Sequence, residues 1–270
     1  MAPGRLRLAA LSAVVAFSLA LIVLPIAAPA PTRAHIQQQL PNAGRELLPD
    51  PVRPAFSPER TGAGGQTPFD SFWAPVLRPV EARVEPGTEH AAIARLSATT
   101  PEGTTNLVVV LERHEDASGR LWVKVRLPVL PNNTVGWIPR SALGGYGVVR
   151  TRLVIDQRGL RATLFRRGRA VFDAPVGVGK PSWPTPVGHF YVRNKLTDFA
   201  SPAYGPLAFG TSARSAVLTD WPAGGFVGIH GTDRPELLPG RVSHGCVRMR
   251  NENIVQLGRL MPVGTPVVIR

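Results

Sequence analysis

The chain has 270 residues, 31 of them basic and 18 acidic, for a formal net charge of +13. That length allows one large domain or two modest ones, and a hydrophobic share of 44% rules out wholesale disorder. Its 27 glycines and 28 prolines exclude a largely helical protein and point to a turn-rich, mainly β one. No sequence repeat is visible, so a solenoid or propeller is not expected.

A single cysteine, Cys246, excludes an intramolecular disulfide framework and any zinc site needing two thiolates. It leaves either a buried inert thiol or a reactive one. The charge is almost all arginine, with Lys124, Lys180 and Lys195 the only lysines. The basic residues are scattered and lack interleaved aromatics, which argues against nucleic acid as a partner. An anionic cell envelope, or no partner beyond solvent, fits the charge better.

In chain order, residues 1–34 read as a targeting segment. Arg5 and Arg7 precede the uncharged run Leu8–Ala30, and small residues follow. The run suits a cleaved signal peptide or a membrane-spanning signal anchor; either would send the remainder out of the cytoplasm. Residues 35–68 are rich in proline and glycine without periodicity and read as a linker. Outside the cytoplasm a lone thiol becomes a candidate reactive group.

A first folded module is expected over 69–145, with strands at 91–96, 107–111 and 122–127 separated by Glu102-Gly and Ser118-Gly turns. The stretch Trp122-Val-Lys-Val-Arg followed by Gly136-Trp-Ile-Pro resembles the end of bacterial SH3-like domains, in which such strands close a small barrel. Its two tryptophans are also suited simply to filling the barrel core.

A second module is expected over 146–270. Leu153-Val-Ile-Asp, Ala162-Thr-Leu-Phe and Ala170-Val-Phe-Asp-Ala-Pro-Val read as successive hairpin strands, with more strands at 189–192, 226–230 and 266–270. Residues 251–261 form the one convincing helix candidate of this module. Ile254, Val255, Leu257 and Leu260 share a face there, and Asn251 is placed to cap it.

Three stretches of this module carry the chemistry. They are Pro184-Thr-Pro-Val-Gly-His-Phe, Gly228-Ile-His-Gly-Thr-Asp, and Ser243-His-Gly-Cys-Val-Arg-Met, with twelve residues between His230 and Ser243. Thiolate is the attacking form of cysteine, and an imidazole beside Cys246 makes it accessible at neutral pH. Gly245 allows close approach of backbone to a reacting carbonyl, with amides near Gly245 and Cys246 aimed at the developing oxyanion. Ser243 is expected to hydrogen-bond within the turn. His244 lines the site or holds the turn, and Arg248 either meets a substrate carboxylate or the oxyanion, or braces the loop. Trp183, Tyr204 and Trp221 are candidates for the groove wall or for core packing.

The ordered set resembles the YkuD-type L,D-transpeptidase catalytic domain over about 120 residues, nearly the whole second module. The resemblance implies Cys246 as nucleophile, His230 as base and the Gly231 carbonyl as the group orienting the imidazole. It further implies a mainly β fold in which a small SH3-like β-barrel precedes a β-sandwich-like catalytic domain with few helices. The implied reaction is acyl transfer from a peptidoglycan stem tetrapeptide, with D-alanine released and a cell-wall cross-link formed. It needs no metal and no cofactor, and carbapenem-type β-lactams would be covalent inhibitors. Asn253 departs from the aspartate often found in relatives. A hydrolase using the same thiol, a non-catalytic wall-binding protein, and a metal hydrolase built on His189, His230 and His244 are the competing readings.

Overall fold

A computed structural model of the chain describes residues 69–197, 201–218 and 225–270. The expected targeting segment, the linker and Trp221 lie outside them. Among the described residues no helix is long and apolar enough to cross a membrane.

β1 (Ser71–Pro75), β2 (Val80–Arg83), β3 (Ala92–Leu96), β4 (Leu107–Glu115), β5 (Leu121–Arg126), β6 (Val135–Pro139) and β7 (Gly147–Val149) form one curled sheet. Its strand order is β3-β2-β6-β5-β4-β1-β7. Period-2 alternation sets which side chains go in: Val123, Val125 and Ile138 join an aliphatic core with Ala74, Val108 and Leu127. Trp122 and Trp137 are buried but stand on the opposite strand faces, outside that core. There the Trp122 indole N–H donates to Asp116 at 2.8 Å, and Lys124 Nζ lies 5.6 Å from the Trp137 ring centroid. β7 pairs with β1, so residues 147–149, expected in the second module, complete the first sheet instead.

The second sheet holds β8 (Thr151–Asp156), β9 (Arg161–Arg166), β10 (Arg169–Pro175), β11 (Gly177–Gly179) and β12 (Gly188–Leu196). It continues with β13 (Ala208–Arg214), β14 (Phe226–His230), β15 (Gly240–Ser243), β16 (Val247–Arg248) and β17 (Pro266–Ile269). The order β10-β9-β8-β17-β12-β13-β14-β16-β11-β15 puts the β14–β16 pair deep in the sheet. The fold is mainly β, as expected, with α1 (Asn251–Leu260) the one α-helix among the described residues.

The helix buries Ile254 and Leu257 against Leu153, Phe209, Ile229 and Val267. Its N-cap is Arg250, with no side-chain cap, rather than Asn251. The Asn251 carboxamide is committed elsewhere: its Oδ1 accepts the backbone N–H of Thr232 at 2.9 Å.

Residues 190–194 of β12 are buried on both faces of the strand. Phe190 and Val192 enter the main core, whereas Tyr191 packs with Leu107 and Val109 of β4 and donates its hydroxyl to the Leu107 carbonyl at 3.1 Å.

Candidate active site

β14 and β16 run parallel, with Ile229 opposite Val247 and His230 opposite Arg248. Cys246, immediately before β16, therefore sits beside Gly228 in the middle of β14. The Gly228 N–H donates to Cys246 Sγ at 3.4 Å. A Cβ at position 228 would lie 3.7 Å from His230 Cδ2 and 3.9 Å from that sulfur, so ring edge and thiol face the same small space.

His230 is 3% exposed, and its Nδ1 lies 2.6 Å from the Gly231 carbonyl oxygen. A carbonyl only accepts, so Nδ1 carries the proton and Nε2 keeps its lone pair. Burial lowers the imidazole pKa to about 4; the Gly231 bond opposes this and the Arg248 charge adds to it. Burial pushes the Cys246 thiol up, against the Gly228 N–H and the Arg248 charge, which both favour thiolate. The sequence reading expects ready thiolate at neutral pH, whereas the resting pair here is neutral thiol and neutral imidazole.

Close packing fixes the imidazole. A Cβ on Gly231 would come within 2.3 Å of Asn251 Oδ1, and one on Gly205, at φ +65°, would approach Gly231 Cα to 2.7 Å. The Tyr204 ring leans on the imidazole, with centroids 4.7 Å apart.

The turn carrying the thiol is held from inside. Ser243 is fully buried; its hydroxyl donates to the Cys246 carbonyl at 2.5 Å and accepts the Gly245 N–H at 3.1 Å. The Gly245 N–H is thus occupied by Ser243 and does not face an oxyanion, contrary to expectation. The Cys246 N–H has no acceptor among the described residues. Thr185 belongs to the Pro184-Thr-Pro stretch, to which the sequence assigns no role; its hydroxyl donates to the Gly245 carbonyl at 2.8 Å and accepts the Gly179 N–H at 2.8 Å. A trans peptide sets N–H opposite C=O, so this bond turns the Cys246 N–H away from Thr185.

The thiol opens on a cavity of about 320 Å³ lined by Tyr204, Leu218, Phe226, His230, Cys246 and Arg248 among others. Arg248 belongs to this wall, and its buried Nε has no hydrogen-bond partner among the described residues. His244, also on the wall, is exposed and stacks on Trp183 at 4.4 Å between centroids, which leaves His230 as the imidazole on β14 beside the sulfur's own N–H donor. Asn253 lies half-buried in the first turn of α1. Among the described residues no three His, Cys, Asp or Glu side chains converge to hold a metal ion, and His189 pairs with Val268 in β17.

A thiol, a buried imidazole oriented by a backbone carbonyl, and a backbone N–H with no acceptor among the described residues meet at this cavity, the parts that acyl transfer through cysteine would use. Residues 150–269 match the YkuD family model, described as the L,D-transpeptidase catalytic domain. The chain is 32% identical over 118 residues to the putative L,D-transpeptidase YkuD of Bacillus licheniformis, covering 44% of this chain and 64% of that protein. To its Bacillus subtilis namesake it is 34% identical over 107 residues, covering 40% and 58%. A crystal structure of an Enterococcus faecium L,D-transpeptidase is 25% identical, covering 44% of this chain and 49% of that one at a TM-score of 0.36. The chain thus spans less than two thirds of the length of these curated relatives.

Proposed function

We propose that the protein is a peptidoglycan L,D-transpeptidase, acting outside the cytoplasmic membrane, with Cys246 as nucleophile and His230 as general base. The observation that carries this reading is the Nδ1–Gly231 contact at 2.6 Å, which leaves Nε2 as the proton acceptor on an imidazole whose Cδ2 edge borders the same space beside Gly228 as the Cys246 sulfur. As Sγ attacks the donor carbonyl, its proton passes to His230 Nε2, and the Cys246 N–H donates to the oxyanion. Collapse breaks the amide bond; His230 returns the proton to the departing D-alanine amine, leaving a thioester. An acceptor amine then attacks that thioester, losing a proton through His230, and the sulfur leaves as thiol.

Arg248 is proposed to receive a carboxylate of the stem peptide, because its guanidinium borders the cavity and its Nε has no partner. Ser243 and Gly245 shape the thiol turn, while His244 lines the cavity. The segment 69–145 is proposed as an SH3-like domain and 146–149 as the passage into the catalytic domain. The uncharged run Leu8–Ala30 is proposed as signal peptide or anchor. Carbapenem-type β-lactams are proposed as covalent inhibitors, since a strained amide suits the same thiol.

The test is mass spectrometry of wall fragments incubated with the protein. Cross-linked stems with D-alanine released would support the reading. Shortened stems without cross-links would turn it to hydrolysis with the same thiol.

A further inference from the structure

Phe226 opens β14 two residues before Gly228, and its ring lines the cavity above the thiol. Behind that ring lies Arg193, whose side chain is 1% exposed and whose Cζ stands 3.7 Å from the ring centroid. Arg214 lies on the same ring at 4.9 Å. Among the described residues Arg193 makes one ion pair, its Nη2 donating to Glu102 Oε2 at 2.7 Å, and its buried Nε and Nη1 have no hydrogen-bond partner there. A guanidinium so placed has two anchors, one carboxylate and one aromatic face.

Glu102 does not belong to the second sheet. It sits in the loop between β3 and β4 of the first sheet. Its Oε2 also accepts from Asn194 Nδ2 at 3.1 Å. Consecutive strand residues normally point to opposite faces, yet Arg193 and Asn194 both reach this one oxygen. A register shift between Val192 and Asn194, where β12 pairs with β13, permits it. Asn194 closes the arrangement by accepting the Gly210 N–H at 3.0 Å. The line of contact therefore runs from a first-sheet carboxylate, through a buried guanidinium, to the wall of the cavity.

We infer that Glu102 and Arg193 are positioning residues for the acyl-donor pocket, holding Phe226 as an apolar wall that takes the hydrocarbon part of the donor side chain. The inference rests on the proposed thiol site and deepens it. Phe226 and Leu218 are apolar lining residues of a cavity that Arg248, His230 and Cys246 also line. An extended aliphatic chain ending in polar groups fits that mixed lining. The first sheet thus contributes a residue on which the pocket's shape depends, rather than only a surface for recruitment.

The experiment compares Cys246 alkylation in the full chain by iodoacetamide and by its N-hexyl derivative, so it needs no transpeptidase turnover. The intact protein should favour the hexyl reagent. Glu102→Gln with Arg193→Met removes both buried charges together, which buried ion pairs generally tolerate better than loss of one partner. In that double variant the hexyl preference should fall by about 2- to 30-fold, the worth of a cation–π stack expressed as a population of the wall-forming Phe226 position. Iodoacetamide itself should react at an unchanged rate. Phe226→Ala should lower the preference at least as far, and Phe226→Tyr should retain it. Glu102→Asp, a milder change that keeps the charge, should give a smaller fall. A folded double variant with unaltered preference would overturn the inference. If the double variant does not fold, an unaltered preference in folded Glu102→Asp and Phe226→Ala would overturn it. Absence of turnover with a normal hexyl preference would count against the transpeptidase reading alone.

Discussion

Thr185 reaches across sixty residues of sequence to hold the carbonyl of Gly245, at 2.8 Å from hydroxyl to oxygen. The peptide so anchored is the one whose N–H belongs to Cys246, and that N–H has no acceptor among the described residues. One buried hydroxyl, 2% exposed with its residue, therefore fixes the direction of the proposed oxyanion donor. It does this while also accepting the Gly179 N–H, which ties the thiol turn to β11.

Thr185→Val keeps the shape and removes both bonds. Loss of an oxyanion donor costs about 10²–10³-fold in kcat, and a misdirected one should cost part of that, about tenfold or more. The Gly179 N–H is left unsatisfied, so stability should fall by about 1–3 kcal/mol. Steady-state kinetics on stem tetrapeptide and thermal unfolding check both; unchanged kcat would show that Thr185 does not direct the donor.

The acid limb of the rate tests the imidazole. The base is the neutral form, and with the pKa lowered to about 4, activity should persist well below pH 6.5 and disappear only as pH falls through about 4. His230→Gln should lower acylation by about 10²–10⁴-fold in a folded protein and abolish that limb. An acid limb near pH 6.5 would mean that the ring is solvated in the working enzyme.

Stability should follow the same two groups. Since His230 is neutral when buried, the unfolded chain binds the extra proton between its ordinary value of 6.5 and about 4, so stability falls as pH drops through that window. The full shift corresponds to about 3 kcal/mol. For Cys246, raised by burial, the unfolded thiol ionises first, so its contribution is present below pH 9 and is lost as pH rises beyond it. Urea midpoints across pH 4–7, compared with His230→Gln, should show the acid loss flattened in the variant.

Separating the two sheets should be costly. Tyr191 is fully buried against Leu107, and Arg193 against Glu102; a chain beginning at Arg150 leaves both without cover. Such a fragment should unfold at lower urea than the longer chain and expose the Tyr191 ring to iodination. Equal stability would show that the second sheet is self-sufficient.

The chemistry of the site was legible because it is local. His-Gly, Ser-His-Gly-Cys and their spacing carry the proposed nucleophile and base in two short stretches, and the strands read at 153–156 and 189–192 fall within β8 and β12. What remained hidden depends on contacts distant in sequence. Thr185 was visible as part of a Thr-Pro motif, but its partner lies sixty residues away. Asn251 has the composition of a helix cap, yet tertiary contact turned its side chain to Thr232. The neutral resting pair follows from burial, which spacing does not report. The role of Phe226 needs Glu102 from the other sheet and a bulge at Arg193, neither marked by any local pattern.

The most direct measurement is the intact mass of the protein mixed with stem tetrapeptide, quenched in acid and mapped by peptide digestion. The account predicts a thioester adduct with D-alanine lost, confined to the peptide containing Cys246, absent in Cys246→Ala and strongly reduced in Cys246→Ser. Wild-type turnover by Cys246→Ala, or an adduct on any other residue, would contradict it.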